Sequence, residues 1–369
     1  MQYRHTSLEI NLNNIAHNIK QFQKILPKDS EIMAVVKADG YGHGAVKVLN
    51  KAVSVGVKWA GVALVEEAIE LRENGFKLPI FLLGSWFPEA MEAFYQFDIT
   101  PIVYSAESLQ ILNEFTSNKK QSLKIHLKID TGMSRLGFKI DELLNIFTDK
   151  TEFRYIEIEG LLTHLSSSDE DDTEFSTNQI NDFYNALNQL KLTPKWLHIA
   201  NSAGAIKFNK KCGNLFRLGI SLYGQPPATN MVGAINLKEA VTFKTSIVQL
   251  KWIKKNTPVS YNRTFYTNKD TLIATLPVGY ADGYSRHLSN KAEVIIRGQR
   301  AKLIGRVCMD MIMIDATDIN DVTLGDEVIL IGNQGDQTIS ATEIAELCGT
   351  INYEITCNIS KRVPRIYKD

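Results

Sequence analysis

The stretch Ala34-Val35-Val36-Lys37-Ala38-Asp39-Gly40-Tyr41-Gly42-His43-Gly44 decides the fold. Its apolar, β-branched start predicts a buried strand, and the glycine-rich turn that follows places Lys37 at the end of that strand. An open, doubly wound sheet normally carries the spacing GxGxxG after its first strand, and GYGHG lacks that spacing. A partly desolvated lysine amine loses its proton more easily and can attack a carbonyl. The stretch therefore favours a barrel and makes Lys37 a candidate Schiff-base lysine.

Strand-like runs alternate with amphipathic helical patterns through the first two-thirds of the chain. The candidate strands are Ile32–Lys37, Trp59–Ala63, Ile80–Leu83, Pro101–Tyr104, Leu123–Ile129, Ile156–Leu162, Trp196–Ala200 and Leu215–Ile220. Helical patterns lie between them, for example over Val65–Asn74, Asp141–Thr148 and Thr177–Leu192. Strands and helices that alternate in this way predict an α/β fold with a parallel (β/α)8 TIM-type barrel.

The pattern changes in the last third, where short strands are joined by polar turns. The candidate strands are Phe243–Leu250, Thr271–Leu276, Ala292–Ile296, Met311–Asp315 and Glu327–Ile331, and one helix is predicted over Ala341–Cys348. We therefore predict a barrel over residues 1–235 and a mostly β domain over residues 236–369. Within the segment 1–11, Ser7–Asn11 is a candidate strand that joins the second domain.

Composition limits the classes of function. The chain has 369 residues, 44% of them hydrophobic, and 41 basic and 41 acidic residues give a net charge of zero. This balance argues against binding to nucleic acid through bulk charge. No apolar run reaches the roughly 20 residues that span a membrane, and the N-terminus has no secretion-signal pattern. The four cysteines have no CxxC spacing and the histidines no ligand spacing, so we expect a cytoplasmic protein without a metal site.

Candidate functional residues gather where the barrel strands end, which is where such barrels place their catalytic and binding groups. They are Lys37, Lys128, Arg135, His164, Asn201, Ser202, Arg217, Gly219 and Ile220. The loops after the seventh and eighth strands usually bind phosphate, and there Ser202 offers a hydroxyl while Gly219 lets the backbone approach an anion closely. A Schiff-base lysine next to a phosphate site indicates pyridoxal phosphate as the cofactor.

Eight ordered segments carry a resemblance to a known family. They are Ala34–Gly44, DTGMSRLG (130–137), Thr163-His164, HIANSAG (198–204), RLGISLYG (217–224), SYNRTF (260–265), PVGYADGY (277–284) and GRVCMD (305–310). The chain resembles the alanine racemase family of fold-type III pyridoxal phosphate enzymes. The resemblance implies interconversion of L-alanine and D-alanine, which supplies D-alanine for peptidoglycan, by a homodimer with shared active sites.

The resemblance also implies individual roles. Lys37 would hold the cofactor and act as the base on the D-alanine side, and Tyr261 from the partner subunit would act on the L-alanine side. Substrate would be bound by Arg135 and Met309. Arg217 would meet the pyridine nitrogen, and because arginine carries donors only, it would leave that nitrogen unprotonated. The remaining cofactor-binding positions are Tyr41, His164, Asn201, Ser202, Gly219, Ile220 and Tyr353, and the supporting positions are Lys128, Tyr280 and Asp310.

Two other enzyme functions and one binding function stay open. Asn262 and Met311 depart from the usual family pattern, so a broader racemase that also takes serine is an alternative. A fold-type III decarboxylase normally carries glutamate where this chain has Arg217, and it lacks the segment with Met309. A carrier of pyridoxal phosphate without turnover would be a single barrel, and the predicted β domain that bears Tyr261 argues against it.

Overall fold

The computed structural model describes residues 4–148 and 153–369; residues 1–3 of the predicted segment 1–11 lie outside this part. After β1 (Ser7–Asn11), the described chain forms eight parallel strands in the spatial order β8-β7-β6-β5-β4-β3-β2-β9. Backbone hydrogen bonds from Asn214 to Leu197 (2.9 Å) and from Arg217 to Ala200 (3.2 Å) bring β9 against β8 and nearly close the barrel. The strands are β2 (Glu31–Val35), β3 (Trp59–Val62), β4 (Ile80–Leu82), β5 (Ile99–Val103), β6 (Leu123–Lys128), β7 (Ile156–Leu162), β8 (Trp196–His198) and β9 (Leu215–Leu218). The predicted barrel is confirmed.

Helices connect the strands and cover the outside of the barrel. The first helix, Leu12–Ile25, shows how the sequence directs this. The Asn11 side chain caps its start by accepting a hydrogen bond from the amide of Asn14, and Ile15, Ile19 and Phe22 form the face that is buried. The helical segments are α1 (Leu12–Ile25), α2 (Lys37–Tyr41), α3 (Ala45–Ser54), α4 (Val65–Glu73), α5 (Met91–Gln96), α6 (Ala106–Lys119), α7 (Ile140–Thr148), α8 (Glu174–Leu190) and α9 (Ser202–Lys207).

The rest of the chain is mostly β, as predicted. A larger sheet has the order β16-β15-β18-β10-β1-β20, with β19 paired to β18, and smaller sheets join β11-β14-β17 and β12-β13. The strands are β10 (Val241–Ser246), β11 (Gln249–Ile253), β12 (Pro258–Val259), β13 (Phe265–Tyr266), β14 (Thr271–Leu276), β15 (Glu293–Ile296), β16 (Gln299–Lys302), β17 (Ile312–Asp315), β18 (Glu327–Gln334), β19 (Gln337–Ile339) and β20 (Arg365–Lys368). Two helices, α10 (Ala341–Cys348) and α11 (Asn352–Cys357), lie between β19 and β20.

The first strand belongs to the larger C-terminal sheet. β1 pairs antiparallel with β10 and parallel with β20, and α1 of the barrel follows it directly. The chain therefore ties the two parts of the fold together at its start as well as at the connection after the barrel.

One predicted strand is wrong. Phe243–Leu250 was expected to be continuous, but the chain leaves the larger sheet after Ser246 and enters the three-stranded sheet at Gln249. The backbone N–H groups of Ile247 and Val248 donate to Asp326 (3.1 Å) and Thr275 (3.0 Å), one on each side of the change. A strand-like pattern looks the same whether the strand stays in one sheet or crosses to another.

In the described part of the chain, no helix is long and apolar enough to cross a membrane.

Candidate active site

A cavity of about 690 Å³ opens at the carboxyl ends of the barrel strands. The cavity is also lined by residues near the end of the chain, which belong to α11 or directly precede it: Ile351, Tyr353, Glu354 and Cys357. Most of the residues predicted from the sequence line the same cavity. They are Lys37, Tyr41, Lys128, Arg135, His164, Asn201, Ser202, Arg217, Gly219, Ile220 and Tyr353.

Lys37 lies two residues beyond the end of β2 and begins the short segment α2, so the prediction that it ends the strand is wrong. The backbone of Ala38, Asp39, Gly40 and Tyr41 is left-handed, with φ between 51° and 62°. Such angles are costly for residues other than glycine, so outside contacts must hold the turn. One such contact joins the Ala38 amide to Glu67 Oε1 (2.6 Å), and Glu67 Oε2 binds the Ala63 amide (2.7 Å).

The cavity lowers the pKa values of its lysines. Burial and then the nearby Arg135 charge lower the pKa of Lys37, while the Glu67 carboxylate opposes the shift. Burial, Arg217 and Arg135 lower the pKa of Lys128 to about 8. Both amines are thus easier to deprotonate than free lysine, and a neutral amine is the form that attacks a carbonyl.

Arg217 is fixed from several directions by the ends of β7 and β8. Its Nη2 donates to the carbonyls of Thr163 (2.9 Å) and Ile199 (2.9 Å), and its Nη1 donates to the carbonyl of His198. Burial lowers the pKa of this guanidinium to about 10, so it stays charged near neutral pH. A planar cation with its orientation set this way presents only donors to the cavity.

His164 is the partner of Arg217 at the cavity wall. Its Nδ1 lies 3.1 Å from Arg217 Nη2, which can only donate, so a proton on Nδ1 would face another N–H group and the ring proton is favoured on Nε2. Burial and then the Arg217 charge lower the pKa of His164 well below its usual value. His164 is therefore a neutral ring near pH 7.

Another part of the cavity wall leaves room for a ligand to approach the backbone closely. Ser202 Oγ accepts a hydrogen bond from the Gly219 amide (3.0 Å), and the neighbouring Asn201 side chain caps α9 through the Gly204 amide (2.9 Å). A Cβ atom on Gly219 would lie 2.7 Å from the Tyr41 hydroxyl, so a side chain there would push Tyr41 away. Tyr353 lies on the far side of Tyr41, with ring centroids 6.1 Å apart.

Four predicted residues do not line this cavity. Tyr261, Met309 and Asp310 line a second cavity of about 740 Å³ in the β domain. Tyr261 is 67% exposed and Met309 52% exposed. Asp310 forms an ion pair with Arg362 (2.7 Å). Tyr280 is partly exposed, and its amide binds the Cys308 carbonyl (3.0 Å) next to that second cavity.

Sequence reasoning missed several residues that shape the site. Glu67 holds the turn after Lys37, and Tyr223 donates to the Val35 carbonyl (2.9 Å) and packs against the Tyr41 ring. A glutamate in the first turn of the predicted helix Val65–Asn74 was the available signal for Glu67. His126 and His198, which lie behind Arg217, were visible as polar residues within predicted buried strands.

Comparison with known proteins identifies the family of the chain. The family model for the alanine racemase N-terminal domain matches residues 10–227, and the model for the C-terminal domain matches residues 240–367. An alanine racemase of Halothermothrix orenii is 45% identical over 99% of this chain and 97% of its own length. The crystal structure of an alanine racemase from E. faecalis superposes with a TM-score of 0.94 at 35% identity, covering 99% of both chains. One from Bartonella henselae, with covalently bound pyridoxal phosphate, superposes with a TM-score of 0.91 at 30% identity, again over 99% of both chains. With both domain models matched, the chain belongs to the alanine racemase family.

Proposed function

We propose that this protein interconverts L-alanine and D-alanine with pyridoxal phosphate attached to Lys37, and with Lys37 and Tyr261 of the partner subunit as the two bases. The observation that carries the proposal is the single cavity that joins Lys37, Arg217, Ser202 and Gly219. The family to which the chain belongs supports the reaction, and the cavity supplies the residues that it requires.

The cavity fits the cofactor. Because Gly219 has no side chain, the Tyr41 and Ser202 hydroxyls lie close to its backbone, which suits a phosphate group. Asn201, Ile220 and Tyr353 complete that end, and Arg217 faces the cavity where a ring nitrogen would accept a hydrogen bond. When bound, pyridoxal phosphate supplies an aldehyde and a conjugated ring that withdraws electrons from the α-carbon of an amino acid.

Residues of the chain supply proton transfer and substrate binding. Lys37, with its lowered pKa, can take a proton from one face of the α-carbon or return it there. Racemisation needs a second group on the opposite face, and we assign that role to Tyr261 of the partner subunit. Arg135, and the backbone of Met309 from the partner subunit, hold the substrate carboxylate by charge-assisted hydrogen bonds.

The positions of these groups support a homodimer. Lys37 and Tyr261 line different cavities, so one copy of the chain does not hold both bases at one site. A second copy that brings its β domain to the barrel mouth would complete both sites, because a two-fold interface repeats every contact. We propose this arrangement, with Tyr280 and Asp310 at the junction and Lys128 near Arg135 in the cavity wall. We also propose residues 1–235 and 236–369 as the domains, the cytoplasm as the location and peptidoglycan as the destination of D-alanine.

Two measurements test the proposal. Borohydride reduction of the enzyme loaded with cofactor, followed by peptide mass mapping, is expected to tag Lys37; a tag on another residue contradicts the assignment. Optical rotation of L-alanine incubated with the enzyme is expected to fall to zero without release of carbon dioxide. Parallel incubations with L-serine show how narrow the specificity is, and carbon dioxide release would indicate a decarboxylase instead.

A further inference from the structure

A line of polar side chains crosses the interior of the barrel behind Arg217. His198 Nδ1 lies 3.3 Å from Arg217 Nη1, and His198 Nε2 lies 2.8 Å from His126 Nδ1. His126 Nε2 lies 3.7 Å from Glu159 Oε2, and Lys124 Nζ binds Glu159 Oε1 at 2.9 Å. The line runs from Lys124, near the start of β6, through Glu159 in the middle of β7 to Arg217 at the cavity.

The fold makes room for this line in an otherwise apolar interior. Both histidines are fully buried, and the Phe81 ring packs against both, with centroids 4.7 Å from His126 and 5.2 Å from His198. A Cβ atom on Gly160 would lie 2.5 Å from His126 Nδ1, so the absence of a side chain at Gly160 creates the space for the ring. Polar groups in such surroundings interact strongly, and they are costly when left without a partner.

The donor-only Arg217 sets the direction of the hydrogen bonds along the line, and the negative charge of Glu159 favours the same direction. Arg217 can only donate, so His198 Nδ1 accepts and His198 carries its proton on Nε2. That proton is donated to His126 Nδ1, which leaves the proton of His126 on Nε2, facing Glu159. At 3.7 Å the His126 N–H makes no hydrogen bond to Glu159, but it faces a carboxylate that can only accept, so all donors are oriented from the cation towards the anion without conflict.

The charges agree with this direction. Burial lowers the pKa values of His126 and His198, so both rings are neutral near pH 7. The neighbouring His126 and Lys124 hold the pKa of Glu159 at about 2, so it is ionised. A proton added to either histidine would place two N–H groups against each other, or an N–H group against the Arg217 guanidinium.

We propose that Glu159 is a remote positioning residue for Arg217, acting through His126 and His198. By fixing the tautomers of both rings, the carboxylate keeps His198 Nδ1 as an acceptor and so holds the guanidinium in the orientation that meets the cofactor ring. The part that concerns the cofactor rests on the proposed function, whereas the order of the hydrogen bonds belongs to the folded chain alone.

The first test measures the tautomers directly. Nitrogen NMR of the full chain labelled at histidine, without cofactor, is expected to show His126 and His198 as neutral rings with the proton on Nε2. Assignment uses His126→Asn and His198→Asn. A proton on Nδ1 of His198, or a charged ring at neutral pH, overturns the proposal. Since no cofactor is present, this result does not depend on whether Lys37 is the attachment site.

The second test compares three substitutions on β7. Glu159→Leu removes the acceptor and is expected to give mixed tautomers at His198 and a kcat about 10-fold lower with KM unchanged, the size typical when a supporting partner is lost. Glu159→Gln keeps an acceptor oxygen and is expected to retain the tautomers and most of kcat. Glu157→Gln, an exposed position on the same strand, is the matched control and is expected to change neither.

The outcomes separate positioning from simple stability. If Glu159→Leu leaves the His198 resonances and kcat unchanged, the proposal is wrong. If Glu159→Leu and Glu159→Gln lose activity in proportion to lost folded protein, as followed by circular dichroism, the role is structural and the proposal is also wrong. If Glu159→Leu does not fold at all, the tautomers of the unaltered protein decide alone.

Discussion

At the scale of single residues, the cavity is defined by positive charge. Lys37, Lys128, Arg135 and Arg217 all line it, and among the described lining residues Glu354 is the one carboxylate. Like charges close together disfavour protonation, which is why Arg135 lowers the pKa values of both lysines. Such a site attracts a ligand with negative groups at both ends, as a phosphate and an amino-acid carboxylate provide.

The same electrostatics predict how the reactivity of Lys37 depends on pH. Its pKa lies below 10.5, partly because Arg135 is close, so Arg135→Leu is expected to raise that pKa towards the free value. A smaller fraction of the Lys37 amine is then neutral at a given pH. The pH at which attachment of pyridoxal phosphate to the cofactor-free enzyme is half complete, its midpoint, therefore rises. Absorbance of the bound cofactor across a pH series measures the midpoint.

Arg135→Lys is the control for this prediction because it keeps the charge. It is expected to leave the midpoint close to that of the unaltered enzyme, although the shape of the side chain changes. A midpoint that stays fixed in Arg135→Leu, or that moves to lower pH, would mean that burial alone sets the pKa of Lys37.

At the scale of elements, the segment α2 is the strained part of the scaffold. It follows β2 directly, and its left-handed turn is held by Glu67 at the start of α4. A left-handed angle costs a residue with a Cβ atom about 1–2 kcal/mol, and glycine avoids that cost. The turn thus lowers local stability, and it fixes the direction in which the Lys37 side chain points.

This strain predicts that replacing alanine by glycine changes the free energy of unfolding differently at two positions. Ala38→Gly keeps the amide that binds Glu67 and relieves a positive φ of 52°, so the free energy of unfolding is expected to stay level or rise by up to about 1 kcal/mol. Ala52→Gly, inside the regular helix α3, is expected to lower it by about 1 kcal/mol. Urea unfolding of both variants measures the difference, and equal losses would show that the turn is not strained.

The elements also show what a sequence reveals and what it hides. The barrel strands were predicted within a few residues, because buried parallel strands read as continuous apolar runs between turn signals. The change of sheet between Ser246 and Gln249 was missed, because a strand-like pattern does not identify its partner strand. The line from Glu159 to His198 was missed because its members lie on separate strands, and only the closed barrel brings them into contact.

At the scale of the whole molecule, the exposed surface of the β domain is unusual. Large apolar or aromatic side chains lie open there, namely Trp252, Tyr261, Tyr266, Tyr280, Met309 and Met311. Grouped apolar exposure of this kind marks a surface that another molecule covers. The second cavity lies within this region, so covering it with the barrel of another copy would also bring Tyr261 to a Lys37 site.

A shared site makes a quantitative prediction for mixed subunits. Lys37→Ala and Tyr261→Phe are each expected to be inactive as pure proteins. When the two are co-expressed, half of the dimers are mixed, and each mixed dimer has one site with both bases intact. Total racemase activity is therefore expected to return to about a quarter of the unaltered level, as measured by D-alanine formation.

The matched control uses the double variant Lys37→Ala/Tyr261→Phe, co-expressed in equal amounts with the unaltered chain. If sites are shared, every site of a mixed dimer lacks one base, so activity falls to about a quarter of that of the same total amount of unaltered enzyme. If each chain carried both bases of its own site, activity would fall only to about a half, and the two single variants would show no recovery together. The pair of experiments thus distinguishes a site built between two copies from one built within a single chain, whatever the affinity of the dimer.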